Sequence, residues 1–261
     1  IGQAVEACMK NAPLYDLKRE DGTRHTVWLM DAPEQIEAVQ KAFDTIQNIY
    51  IADGHHRCAS AVKVGLKRAS ENPNDTGKEP YHYFLSVLFP DRDLMIMDYN
   101  RIVKDLNGLS EEEFLKQIEK AFLVTKAGEK DCPADYRKPD QKGEFGLYLN
   151  SGWYRLQIRP EFKNSDPVEG LDVSLLQNNL LAPVLGILDP KTDSRIDFVG
   201  GIRGMEELER RVAGDCVAAF SLYPTSIQEL FAVADAGKLM PPKSTWFEPK
   251  LLSGIFIHSL A

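Results

Sequence analysis

No apolar run in the 261-residue chain approaches the roughly 18–20 residues needed to span a bilayer. A basic-then-apolar secretory leader is missing as well. Cysteine is scarce: Cys8, Cys58, Cys132 and Cys216 are far apart and form no C-x-x-C pair. That spacing argues against a disulfide framework or a structural zinc site and predicts reduced thiols in a cytoplasmic protein. Positive charge is in deficit, with 31 Lys and Arg against 39 Asp and Glu and a net charge of −8. Nucleic acid is therefore not the expected partner, because affinity for a phosphate backbone comes from clustered Lys and Arg. Neither H-E-x-x-H nor G-x-S-x-G occurs, which leaves zincin and α/β-hydrolase chemistry without their anchors. Internal repeats and low-complexity tracts are missing, and so is an initiator Met. The chain opens at Ile1 inside a helical pattern, which leads us to expect a fragment whose upstream part is missing.

With 43% hydrophobic residues, the chain can bury a large core in one or two domains. Its most informative stretch is DGHHR, Asp53 to Arg57. The apolar run 46–51 reads as a buried strand that stops at the turn dipeptide Asp53-Gly54. A helical pattern follows, with Cys58, Ala61, Val62, Gly65 and Leu66 able to share one face. A strand feeding a helix through a tight glycine turn points free backbone N–H groups at one spot. The helix dipole adds partial positive charge there, which suits a phosphate or carboxylate. His55, His56 and Arg57 occupy the first turn, and Asp53 is placed to hold a metal or orient a hydroxyl. The plainer alternative is an ordinary N-cap at Asp53 with a solvated basic turn behind it. Adjacent helical residues point about 100° apart, so His55 and His56 are not expected to chelate one ion. His25, His82 and His258 lie in strand-like patterns and read as structural, and Cys58 reads as facing the core.

Two further clusters carry chemistry-bearing side chains. The tail 241–250 places Lys243, Ser244, Thr245, Glu248 and Lys250 beside Trp246 and Phe247 on a backbone stiffened by three prolines. Such a loop suits a polar ligand held between aromatic walls. Lys243-Ser244-Thr245 echoes the end of a P-loop, but its glycine cradle is missing and a Walker A reading is rejected. The alternative is an ordered loop whose aromatics plug the edge of the core. The third cluster, 198–205, again runs strand, glycines, helix, with Arg203 close by. It suits an anion, or else its glycines serve plain tight turns.

Around these clusters the pattern predicts α+β architecture, with mixed sheets and helices packed on them. Residues 14–17 and 26–30 read as a hairpin across an Asp21-Gly22 turn. A helix opens at Pro33 and runs to about Phe43. Residues 81–89 and 94–99 read as a second hairpin. Ser110 and Glu113 form a capping box that starts a helix, and Ser226 and Glu229 repeat that spacing. Residues 127–142 read as a surface loop, and 145–149 pairs with 153–158. Helices are expected over 173–181, from about 205 to 212, and over 225–236. Strands are expected over 195–199, 217–222 and 255–260. The expected division is 1–100 as a core bearing the DGHHR turn, 101–165 as an inserted α+β unit, and 166–261 as a C-terminal α/β part.

The DGHHR stretch, the segment Tyr99-Asn100-Arg101 and the tail PPKSTWFEPKL together resemble a bacterial and archaeal family without assigned function, domain of unknown function 1015. The resemblance runs from about Trp28 to the end, and complete members carry an upstream region with a His-Glu motif. More distantly, the DGHHR stretch resembles the phosphate-binding box of the ParB-like fold and of the free-serine kinases. Those kinases move a phosphoryl group from a nucleotide to the hydroxyl of free L-serine. The resemblance implies a ParB-like core in which Gly54, His55, His56 and Arg57 meet nucleotide phosphates and Asp53 lies near the transferred group or its Mg²⁺. Asp53 and His55 are then the catalytic candidates. Lys243, Ser244 and Lys250 join the phosphate site, with Lys243 or Lys250 reaching the turn. The expected ligands are Mg²⁺ with ADP or ATP and a small hydroxyl metabolite such as serine. The family's catalytic base is a glutamate upstream of the box, and Glu34 and Glu37, on an expected helix, do not match it. The alternative is a non-catalytic nucleotide-responsive regulator.

Overall fold

A computed structural model of the chain describes residues 1–128 and 136–260. Cys132 and the middle of the expected 127–142 loop lie outside the described residues. The chain divides into two compact units, Ile1–Val87 with Lys250–Ala261, and Leu88–Pro249.

The first unit is built from short elements. Helix α1 (Gly2–Cys8) precedes a hairpin of β1 (Tyr15–Lys18) and β2 (Arg24–Val27), whose register pairs Tyr15 with Val27. Helix α2 (Pro33–Phe43) starts with proline in its first turn, where a missing N–H costs nothing. Helix α3 (His55–Glu71) follows the DGHHR turn. Buried positions are few here: Cys8, whose thiol donates to the Leu29 carbonyl at 3.3 Å, and Gly65, which packs on the Tyr81 carbonyl. Cys58 is half-buried.

The second unit carries the large core. Its elements are β3 (Met95–Met97), β4 (Tyr99–Val103), α4 (Glu111–Ile118), β5 (Phe122–Lys126), β6 (Glu144–Leu149) and β7 (Gly152–Ile158). Then come α5 (Asp172–Leu176), β8 (Ile196–Gly200), α6 (Met205–Val212), β9 (Ala218–Leu222), α7 (Ile227–Asp235) and β10 (Trp246–Glu248). Six strands form an antiparallel sheet in the order β5-β7-β6-β9-β4-β8, and β10 pairs with β3. Strand alternation splits the sheet's side chains between two faces. Val103, Phe145, Leu147, Leu156 and Phe220 join Phe114 and Ile118 of α4, Val173 of α5 and Val233 of α7 in the larger core. Ile102, Val199 and Ala219 pack on the other face against Met205, Leu208 and Val212 of α6. Phe114, Phe122, Phe145 and Phe220 are fully buried, each contributing about 1.5–3 kcal/mol of transfer free energy. The fold class is α+β.

Helices α4 and α7 begin where the capping boxes place them. Ser110 Oγ accepts the Glu113 N–H at 3.2 Å while the Ser110 N–H donates to Glu113 Oε2 at 2.9 Å, and Ser226 and Glu229 repeat the arrangement. Ser110→Ala is expected to lower stability by about 1 kcal/mol. Urea denaturation checks this, and an unchanged midpoint contradicts it.

Several expected strands do not form. Residues 46–51 are irregular, and Ile49 is 61% exposed. A single turn, Pro80–His82, stands where the first strand of the 81–89 hairpin was expected, and β3 takes β10 as its partner. Residues 255–260 are also irregular. An apolar run supplies β propensity but no partner edge, and a backbone without a partner has no ladder to join. The compact units part after Val87 and before Lys250 instead of near 100 and 165. The reason is that β4, β8 and β9 complete the sheet begun by β5, β6 and β7, so 101–165 and 166–249 share one core.

Candidate functional site

The DGHHR turn lies in the first unit. Gly54 is the N-cap of α3 and sits in the left-handed region at φ 84°, a conformation that disfavours any side chain. The cap makes no side-chain hydrogen bond, and the first helical bond runs from the Cys58 N–H to the Gly54 carbonyl at 2.9 Å. The N–H groups of His55, His56 and Arg57 therefore have no intrahelical acceptor and lie together at the positive end of a 17-residue helix. Asp53 is not the N-cap, contrary to the plainer reading. Its Oδ1 instead accepts the Gly54 N–H at 2.7 Å.

Lys250, in the same unit, brings its Nζ to 3.3 Å from Asp53 Oδ2. The Arg57 guanidinium folds back over Gly54, so a Cβ there would stand 3.2 Å from Nη2. Burial pushes the Asp53 carboxyl up, but the Gly54 N–H, Lys250 and Arg57 outweigh it and bring it below its usual value. The turn thus gathers three free N–H groups, Arg57, Lys250, one ionised carboxylate and two exposed imidazoles, His55 and His56. That set can neutralise a polyanion, and Asp53 can offer Oδ2 to a cation where Lys250 turns to the anion instead.

Lys243 and Ser244 belong to the second unit. Lys243 takes φ 56°, and its Nζ stands over the Tyr99 ring, 5.6 Å from the centroid. Ser244 is buried, its hydroxyl donates to the Pro241 carbonyl at 2.6 Å, and its carbonyl accepts from Thr225 Oγ1 at 3.1 Å. The hydroxyl thus holds the tail's turn. Trp246 meets Tyr99 edge-on with centroids 5.4 Å apart. Tail and Tyr99-Asn100-Arg101 segment therefore share one aromatic cluster, a juxtaposition that sequence distance hides.

The 198–205 cluster joins them through packing. Gly200 lies under the Trp246 indole and Gly201 against the Asp98 carboxylate. At the start of α6, Glu206 and Glu207 supply the negative charge that the helix dipole favours, and Arg203 faces Glu207 at 3.8 Å. Local carboxylates thus take the place of the external anion that the sequence pattern allowed.

A constellation that pattern reading missed involves His82, expected in a strand. Its Nε2 lies 2.7 Å from Asp75 Oδ1 and 3.6 Å from Glu79 Oε2 in the first unit. The His82 contact, the Gly77 N–H and Glu79 hold the Asp75 carboxyl down at about 2. Spacings of four and three residues in a polar loop were the available signal, but loop composition gave them no fixed geometry.

No helix among the described residues is long and apolar enough to cross a membrane. Among solved structures, a free serine kinase in complex with AMP is similar at 15% identity and TM-score 0.41, over 84% of this chain and 81% of that one. A mutant of a free serine kinase in complex with AMP gives 14% and 0.42 over the same shares. A conserved hypothetical protein from Pyrococcus furiosus gives 15% and 0.39, over 76% of this chain and 68% of the other. No curated protein matches significantly. Residues 1–174 match the family described as a protein of unknown function (DUF1015), and the chain belongs to that family.

Proposed function

We propose that the start of α3 binds the phosphates of a nucleotide, ADP or ATP, and that the protein transfers a phosphoryl group to a small hydroxyl metabolite such as free serine. The observation that carries this reading is the uncapped first turn of α3, where Gly54 at φ 84° leaves three N–H groups converging beside Arg57 and Lys250. The likeness of DGHHR to the phosphate box of ParB-like proteins supports it. In this reading His56, Arg57 and Lys250 neutralise phosphate oxygens, and His55 and Asp53 stand nearest the transferred group.

Mg²⁺ fits the donor set in a limited way. Asp53 is an ionised carboxylate whose Oδ2 meets Lys250, and Mg²⁺ is commonly held by one or two carboxylates together with substrate phosphates. Bound there, it would supply charge neutralisation for the transferring group. The chain's own part is positioning: fixed N–H donors, one guanidinium, and a lysine that exchanges Asp53 for phosphate.

A second reading is favoured by the surroundings of the turn. Glu34 and Glu37 are exposed on α2, and Glu37 pairs with Lys41 at 2.7 Å. With no upstream glutamate held at the turn among the described residues, a nucleotide-responsive regulator binds without turnover.

Calorimetric titration of ADP, ATP and CTP with Mg²⁺ tests binding. Arg57→Ala is expected to weaken it by about 10- to 100-fold, the loss of a charge-assisted contact. Unchanged affinity in Arg57→Ala, or no binding by the wild type, removes the phosphate site. Where binding holds, phosphoserine formation from ATP and L-serine separates the kinase from the regulator.

A further inference from the structure

Arg101, in the second unit, is a buried cation with no acidic partner among the described residues. It lies mid-strand in β4, 4% exposed, in register with Phe198 of β8 and Phe220 of β9. One N–H donates to the Tyr99 carbonyl, and the guanidinium stacks over Phe198, 5.3 Å from the ring centroid. No ion pair to Arg101 occurs among the described residues, and burial drives its pKa down to about 9 against a small opposing influence of Tyr99. The other buried arginine, Arg155, is matched by Glu144 at 3.1 Å. A guanidinium carries five donors in a planar fork, and an unmatched one in the interior is costly. Arginine is retained at such positions where a planar oxyanion completes it.

The neighbours extend the same chemistry outward. Tyr99 lies on the Arg101 face of β4, with Phe198 edge-on to it at 6.1 Å and Trp246 at 5.4 Å. All three rings are half-buried, so the aromatic cluster that meets the buried guanidinium is itself partly open to solvent. Lys243, exposed, stands over the outer part of this cluster at the Tyr99 ring, and no carboxylate pairs with it among the described residues. Its φ of 56° is uncommon for a residue with a side chain, and the Ser244–Pro241 and Thr225–Ser244 bonds hold the turn in that shape. The nearby acids are engaged elsewhere: Asp98 accepts from Asn100 Nδ2 at 2.6 Å, and Glu248 accepts from Trp246 Nε1 at 2.7 Å. Among the described residues neither Arg101 nor Lys243 has an acidic partner, although both meet one aromatic cluster and the protein's net charge is −8.

We infer that Arg101 and Lys243 form an oxyanion site of the second unit, taking the carboxylate or phosphate group of a small molecule whose body rests on Tyr99 and Trp246. The inference rests on residues of the second unit alone and does not depend on the nucleotide reading. Arg101 supplies a bidentate fork, Lys243 a mobile point charge, and the rings exclude water from the contact.

The test titrates the whole chain with inorganic phosphate and, separately, with acetate at constant ionic strength, read by calorimetry. Wild type, Arg57→Ala, Lys243→Met and Arg101→Met are compared. Arg57→Ala is expected to keep a binding event that Lys243→Met weakens by about fivefold or more and Arg101→Met abolishes. Response to phosphate alone assigns a phosphate group, and response to acetate alone a carboxylate. The inference is overturned if Arg57→Ala binds neither anion, or if Lys243→Met binds as tightly as wild type. Lys243 is exposed, so that variant decides the matter even where Arg101→Met fails to fold.

Discussion

Asp172→Asn is expected to stabilise the protein at pH 8 and to abolish a rise in stability that the wild type shows between pH 8 and pH 5. Asp172 opens α5 and is buried, with both carboxylate oxygens facing the Gly143 N–H at 2.9 and 3.1 Å. Burial pushes its pKa up to about 7. The Gly143 N–H and Lys142 pull the other way, and Glu229 and Glu144 add repulsion. The unfolded carboxyl titrates near 3.8. Between those values the folded state holds the proton and the unfolded state does not. Stability therefore falls as pH rises from about 4 to about 7 and is level above that. A difference of about 3 pH units corresponds to roughly 4 kcal/mol, an upper bound for the charge left buried at pH 8.

Asparagine keeps an acceptor for the Gly143 N–H and carries no charge, so the variant should gain on the order of 2–4 kcal/mol at pH 8 and about a third of that at pH 5, where the unfolded carboxyl is still ionised. Other carboxylates set the lower edge of the window. Asp166 is held down at about 2 by Lys238 and the Val168 and Glu169 N–H groups, so its contribution is lost as pH falls below about 4. Urea denaturation of both proteins at pH 5 and pH 8 measures the effect. An equal pH dependence in Asp172→Asn assigns it to another group.

How far such features can be read from sequence depends on how local their cause is. The capping boxes at Ser110 and Ser226 need only residues three apart, and both helices start there. The turn at Gly152 was legible for the same reason, since Asn150-Ser151-Gly152 joins two alternating strands that pair in register. Strand partners are not local. Residues 46–51 have the composition of a buried strand but meet no edge, whereas Trp246–Glu248 follows two prolines and still pairs with β3. In the candidate sites, Gly54 was legible because Asp-Gly before a helix asks for a left-handed residue. The contact of Lys250 with Asp53 spans 197 residues, and the sequence suggested it only as one of two lysines that could reach the turn, from the density of functional side chains in both segments. Arg101 stands in the sequence only as part of the Tyr99-Asn100-Arg101 motif, since a sequence shows a charge but not its burial or its partners.

Gly200→Ala is the substitution that most directly opposes the arrangement around Arg101. Gly200 ends β8 in register with Tyr99, and the Trp246 indole lies flat against it. A Cβ would stand 2.4 Å from the indole Cε3 and 2.6 Å from Cζ3, and a fused ring pinned by β10 pairing cannot yield as a flexible side chain does. The indole must leave or the tail must shift. Either outcome loosens the edge contact with Tyr99, and expulsion of the indole also breaks its 2.7 Å bond to Glu248. Overpacking of this kind costs about 1–3 kcal/mol, and a lost aromatic pair adds about 0.5–1.5 kcal/mol. The variant should therefore unfold at distinctly lower urea, with tryptophan emission shifted to the red in its native baseline. Anion binding assigned to Arg101 and Lys243 should fall with it, while binding at the α3 turn, in the other unit, should persist. The glycine pair at 200–201 then reads as a requirement for close approach of an aromatic ring and the Asp98 carboxylate. A variant with wild-type stability and emission would return those glycines to the role of an ordinary tight turn.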